Sequence, residues 1–155
     1  LSWIFTFNNF WICFIIIVFK KMIDKKILNI AFKSKNFGLI KKGSYKAKCK
    51  NKICGDKIEI ELDADKYKIK SMRYITESCI FCEASASILS QSIKNFQISE
   101  VPAVIEKIFA FFNDNHIKLP KKFNLLSLLI NNKYKNRLDC VKLPFKALTK
   151  ALDIR

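Results

Sequence analysis

Residues 57–62 alternate without a fault, Lys-Ile-Glu-Ile-Glu-Leu, so Ile58, Ile60 and Leu62 share one face and Lys57, Glu59 and Glu61 the other. A period of two with a charge at every second position is the pattern of an antiparallel strand with one wet face; a parallel strand, covered on both sides, would not tolerate it. Asp63-Ala64-Asp65 supplies turn chemistry, and a second strand runs from Tyr67 and Ile69 toward Thr76. Its apolar parity changes between Ile69 and Met72, which predicts a bulge or a change of buried face. Residues 44–48 are expected to add a third, edge strand.

Around this hairpin the period is helical. Residues 23–32 read as a short first helix, closed by the turn Asn36-Phe37-Gly38. After Cys79 a helix carries four small residues in succession, Ala84-Ser85-Ala86-Ser87, which lets it lie close to its neighbours. Ser99 is the expected cap of a helix through Val104, Ile105, Ile108 and Phe112, with Pro102 in its first turn. Residues 113–120 read as a loop, 123–130 as a short helix ended by Asn131-Asn132-Lys133, and a last helix is expected to start near Pro144. Strands first and helices after predict an α+β domain, helices packed on a small three-stranded antiparallel sheet.

The chain of 155 residues has room for one such domain, assigned to residues 22–155. Residues 1–19 carry no charge, are dense in Trp, Phe and Ile, and stop at Lys20 and Lys21. They are long enough to span a membrane and lack the basic start and cleavage site of a signal peptide. Residues 1–21 are read first as a hydrophobic extension upstream of the working domain, a start-site artefact, since Met22 opens an ordinary amphipathic helix. The second reading is a membrane anchor with the domain held on the cytoplasmic side by the lysines that follow, and the third a soluble core helix. Either of the first two puts the domain in the cytoplasm.

Half of the residues are hydrophobic and 13% aromatic, so a packed core is expected, and 29 Lys+Arg against 13 Asp+Glu leave a formal charge of +16 on its surface. The basic residues are mostly lysines, spread singly, with no Arg-rich block and no aromatic-basic RNA motif, so no specific nucleic-acid partner is expected. Three glycines, Gly38, Gly43 and Gly55, are too few and too scattered for a phosphate-binding loop or a dinucleotide fingerprint. The reactive inventory is then six cysteines and one histidine. His116 falls in the predicted loop and reads as a surface residue.

Three of the thiols stand at element boundaries. Cys54-Gly55-Asp56 precedes the alternating strand, where residues two apart point the same way, so that a thiol and a carboxylate converge over a glycine that permits close backbone approach. Cys79 opens the small-residue helix, and a helix N-terminus lowers a thiol pKa. Cys140 stands before Pro144 in the same manner, with Arg137 three residues earlier to favour the thiolate. Together with Asp56 these three give three sulfurs and one oxygen, a set that suits tetrahedral zinc or an iron-sulfur cluster. Cys82, at i+3 from Cys79, is a filler or a resolving thiol, Cys49 a strand thiol, and Cys13 part of the extension.

The segments Asn51-Lys-Ile-Cys54-Gly55-Asp56, Cys79-Ile-Phe-Cys-Glu-Ala84-Ser85-Ala86-Ser87 and Arg137-Leu-Asp-Cys140-Val-Lys-Leu143-Pro144-Phe145 resemble the three signatures of the NifU N-terminal family, which includes the IscU and SufU scaffolds. The resemblance covers essentially residues 22–152. It implies that Cys54, Cys79 and Cys140 are the cluster or zinc ligands, that Asp56 keeps the site labile, and that Cys140 is the first sulfur acceptor. It also implies a two-iron two-sulfur cluster, or zinc, as the group held, with a cysteine desulfurase as sulfur donor and apo iron-sulfur proteins as recipients. A carboxylate binds such soft centres less firmly than a fourth thiolate, which is what a transit site needs. Asp139 stands where the IscU branch has a His, and Tyr134-Lys-Asn-Arg-Leu where that branch has its Leu-Pro-Pro-Val-Lys chaperone-binding stretch. Docking of an Hsp70-type chaperone is therefore not implied, and the long interval from Cys79 to Cys140 with Arg137-x-x-Cys140 is nearer the SufU branch.

The function expected is a non-enzymatic scaffold that accepts sulfur and iron and passes a cluster on. A zinc-dependent sulfurtransferase relaying persulfide, and a basic zinc-binding nucleic-acid module built on Cys49, Cys54, Cys79 and Cys82, are the alternatives.

Overall fold

The computed structural model describes residues 24–154; the readings of residues 1–21 and of Cys13 lie outside them. A first helix, α1 (Lys25–Phe32), is capped by Asp24, whose Oδ1 accepts the Lys26 N–H at 2.8 Å, and buries Ile27 and Ala31 one turn apart. Three strands follow, β1 (Tyr45–Lys50), β2 (Lys57–Ala64) and β3 (Ile69–Glu77), antiparallel in the order β1-β2-β3. Then come α2 (Ile80–Ser92), α3 (Val101–Asn113) and α4 (Leu138–Ala151), with 3-10 turns at Ile98–Glu100, Lys121–Leu128 and Asn132–Arg137. This is the α+β architecture the patterning predicts. Among the described residues no helix is long and apolar enough to cross a membrane.

The parity change in β3 is a register shift. Asp63 pairs with Ser71 but Ala64 pairs with Ile69, so Lys70 is the extra residue, and Ile69, Met72 and Tyr74 all reach the core. The wet face of β2 is not wet throughout. Glu61 is buried because the segment after Gly38 crosses it, and the Ile40 N–H donates to Glu61 Oε1 at 2.6 Å. Gly43 is what lets that segment lie down: a Cβ there would stand 2.8 Å from Glu61 Cβ and 2.9 Å from the Leu62 carbonyl oxygen. Gly43→Ala should therefore destabilise the domain by about 1–3 kcal/mol through overpacking against backbone, a loss readable in urea denaturation.

Helix α2 is buried on all sides, Ala84 to Ser90 without interruption, and packs against α1, β3 and α4. Small residues make that possible, and Ser85 Oγ donates to the Val141 carbonyl of α4 at 2.7 Å, which couples the two helices directly.

Three boundaries differ from expectation. Gln97, not Ser99, caps the turn before α3, through a reciprocal capping box with Glu100. Asn131 opens a turn instead of closing one, its Oδ1 accepting from the Lys133 N–H. Most consequentially, α4 begins at Leu138 and holds Pro144 in its interior. An internal proline leaves the carbonyl four residues earlier, here that of Cys140, without its helical donor. The burial of Val141, Phe145 and Leu148 along one stripe outweighs that loss.

Candidate metal centre

Cys54 and Asp56 lie in the tight connection of β1 to β2. The Asn51 N–H donates to the Asp56 carbonyl at 2.8 Å, the Gly55 N–H to the Asn51 carbonyl at 2.9 Å, and Asn51 Oδ1 accepts from the Ile53 N–H at 3.0 Å. This turn requires φ +80° at Gly55, and an added Cβ would meet nothing within 4 Å. The glycine is thus there for its backbone conformation, not for the close approach that its position between two ligands suggests. Cys79 is the N-cap of α2, and its N–H donates to Asp56 Oδ1 at 3.2 Å, so the carboxylate joins the turn to the helix.

Cys140 is not placed ahead of a helix. It faces inward from the first turn of α4, 3% exposed, with its Sγ 3.7 Å from that of Cys54. That separation is a thiol contact and not a disulfide. The ligand atoms of Cys54, Asp56 and Cys140 all lie within 4.8 Å of one another. Cys79 borders this trio, its thiol in contact with that of Cys140. Asp56 is only 7% exposed, and its Oδ2 is buried without a hydrogen-bond partner. A buried carboxylate oxygen left unpaired beside thiols is costly unless something cationic completes it.

The electrostatics reverse one expectation. Burial pushes the Cys79 thiol up, and the N–H groups of Cys82 and Phe81 at the helix start only partly offset it, with the Asp56 charge adding to the rise. Burial also pushes Cys140 well up, followed by the charge of Cys79 and contacts with Cys79, Cys54 and Asp56. Arg137 is exposed and is not among the groups that shift Cys140. Desolvation of a thiolate thus exceeds what a helix N-terminus returns. A metal cation that takes the place of the thiol protons removes that penalty, which fits a set of three sulfurs and one oxygen.

Cys82 is fully buried and pushed up to about 12, chiefly by that burial, as befits a filler. Cys49 sits half-buried in β1, opposite Ile58. The four-thiol set of Cys49, Cys54, Cys79 and Cys82 is not among the groups whose ligand atoms come together in the described residues. His116 is exposed in its loop and is not in the group whose ligand atoms converge.

Two supports escape the sequence reading. Glu83, in the first turn of α2, accepts from the Tyr74 hydroxyl at 2.9 Å and from the Thr76 hydroxyl, which ties the helix start bearing Cys79 to β3. Ser85 ties α2 to α4 at Val141, the residue after Cys140. The acid at the helix start and the run of small residues were the available signals, but neither names its partner.

The profile of the NifU-like N-terminal domain family matches residues 22–151. The iron-sulfur cluster assembly scaffold protein IscU of Thermotoga maritima is 27% identical over 135 residues, covering 87% of this chain and 95% of that protein. A nitrogen-fixing NifU-like protein (N-terminal) from Brucella abortus superposes with a TM-score of 0.73 at 18% identity, over 84% of this chain and 91% of its own. The SUF-system scaffold protein FiSufU of Fervidobacterium islandicum gives 0.70 at 22% identity, over 85% of this chain and 97% of its own. At those identities the two structures establish a shared fold.

Proposed function

The chain belongs to the NifU-like N-terminal domain family, and from that premise we propose that it is an iron-sulfur cluster assembly scaffold, a carrier and not an enzyme, that works in the cytoplasm. The observation that carries the reading is the convergence of Cys54, Asp56 and Cys140 within 4.8 Å, with Cys79 at their edge and an unpaired Asp56 oxygen among them. The three thiolates and the carboxylate hold the cargo, a two-iron two-sulfur cluster. Cys140 takes sulfur first: its thiolate attacks the outer sulfur of a persulfide on a cysteine desulfurase, an S–S bond forms to Cys140, and the donor cysteine leaves as thiolate, with no net change in electrons. Cys54, exposed where Cys140 is buried, stands on the solvent side from which the cargo leaves toward apo-proteins. Asp56, the hard ligand in a soft set, keeps the cluster exchangeable. On this reading the working domain is residues 22–155, the family match covering residues 22–151 of it.

The test is anaerobic loading of the full chain with iron and sulfide. A coloured cluster should form on the wild type and on Cys49→Ser, and Cys140→Ser should abolish it. A colourless wild-type protein holding one tight zinc, and passing persulfide sulfur, would replace this reading with the zinc-dependent sulfurtransferase. Loss of metal in Cys49→Ser with retention in Cys140→Ser would overturn the ligand assignment.

A further inference from the structure

Glu83 does more than tie α2 to β3, for its carboxylate also lines a cleft of about 580 Å³ between the end of α1 and the start of α2. Phe32, Phe37 and Ile80 give this cleft its apolar surface, and Thr76, Ser78 and Glu83 its polar groups. Phe32 is 77% exposed and Phe37 50%, the second held edge-on against Tyr74 with ring centroids 5.8 Å apart. In a chain with 29 Lys+Arg against 13 Asp+Glu, a half-buried carboxylate is expected to hold a lysine. Glu83 holds none: among the described residues the ion pairs are Lys48 with Glu59, Lys57 with Glu77 and Lys70 with Asp65. Lys33 and Lys35, which follow Phe32 in the chain, line another cleft together with Ser71 and Ser90. The two Glu83 oxygens accept one hydroxyl each, Oε1 from Tyr74 at 2.9 Å and Oε2 from Thr76. A carboxylate accepts about four hydrogen bonds, so each oxygen keeps an acceptor site. Neutral hydroxyls and the start of α2 stabilise the anion without neutralising it.

We infer that this cleft binds a guanidinium group, the side chain of an arginine on a protein partner, seated against the Phe32 and Phe37 rings with its N–H groups on Glu83. One remaining acceptor site on each of two oxygens matches the fork of a guanidinium, which is also weakly hydrated and stacks on aromatic faces; an ammonium is a point charge that holds its water. The net charge of +16 repels any cation at a distance, but it is screened beyond about 8 Å, so the groups inside the cleft decide. A protein segment suits the site better than a free guanidino compound. The mouth is open at Phe32, so a small cation leaves most of that ring in water, whereas a segment that runs on past the mouth covers it. Ser78 and Ile80 flank Cys79, so a partner seated here lies beside the helix start that carries one of the thiols. The inference does not depend on the scaffold reading above, since no ligand of the metal centre lines the cleft.

The experiment is a chemical-shift titration of the full chain with the peptide acetyl-Leu-Arg-Leu-amide, beside its lysine and citrulline versions and agmatine. The arginine peptide should bind saturably and move the amide signals of Phe32, Phe37 and Ile80. The citrulline peptide, of nearly the same shape but neutral, should bind at least about tenfold more weakly, and the lysine peptide about threefold more weakly. Glu83→Gln and Phe32→Ser should each weaken the arginine peptide by about five- to tenfold. Phe32 is a surface residue, so its Ser variant should melt within about two degrees of wild type, which separates lost binding from lost folding. Equal binding of the arginine and citrulline peptides overturns the inference, as do wild-type affinity in both variants, saturable shifts confined to another face, or no saturable binding. Agmatine binding as tightly as the arginine peptide overturns the protein partner and makes the cleft a site for a free guanidino compound.

Discussion

Asp56→Asn should make the metal-free protein more stable by about 1–3 kcal/mol, and so raise its melting temperature by several degrees. The carboxylate is buried, its Oδ1 accepts from the Cys79 N–H, and its Oδ2 has no partner. Asparagine keeps the Oδ1 acceptor and exchanges the unpaired anionic oxygen for a neutral amide, which is cheaper to desolvate. A gain in stability on mutating a polar group beside three thiols marks a group placed for its cargo and against the fold. Thermal unfolding in the presence of chelator reads the effect, and a fall in melting temperature would show that Oδ2 is satisfied in solution. At the same position a softer ligand should act on exchange: Asp56→Cys should slow zinc loss to a competing chelator by about tenfold or more, since four thiolates hold zinc more firmly than three and a carboxylate.

Phe145→Ala should cost about 3–5 kcal/mol, a large share of the roughly 5–15 kcal/mol that holds a domain of this size. Phe145 is fully buried on the inward stripe of α4, with its ring 5.5 Å from that of Phe112 and 6.3 Å from that of Phe123. It thereby pins α4 to α3 and to the Lys121–Leu128 turn, five residues beyond Cys140. Denaturant titration of the metal-free protein should show the loss, and Phe145→Leu, which leaves a smaller cavity, should lose less than half as much. A cost below about 1 kcal/mol for the Ala variant would mean that α4 is held from its β1 and β2 side instead.

The sheet was legible because each of its signals is local. Alternation through Ile58, Ile60 and Leu62 fixes the buried face, and the three-residue step from Ile69 to Met72 betrays the bulge that leaves Lys70 over. Glu61 shows where local reading stops. Its alternation is that of an exposed residue, and it is buried by a segment some twenty residues earlier that no periodicity connects to it. Pro144 was misplaced for a related reason. A proline most cheaply opens a helix, and only tertiary burial of the surrounding stripe sustains one in the interior. For the centre, the residue types and their association were readable from three motifs. The sign of the thiol shifts was not, because the helix start is written in sequence near Cys79 whereas the burial that outweighs it arises only where the β1–β2 turn, α2 and α4 meet.

Cys54 and Cys140 touch across 86 positions of chain. In the unfolded polypeptide, bringing such distant residues together costs about 4 kcal/mol of loop entropy, before any geometry is imposed. A ribosome-bound chain that has not yet emitted α4 lacks Cys140, so the trio of Cys54, Asp56 and Cys140 cannot yet assemble. On the scaffold reading proposed above, loading waits for the last helix. On that reading, occupancy would certify that synthesis and folding are finished, and binding of the cargo would, by mass action, deepen the well of the folded chain that it certifies.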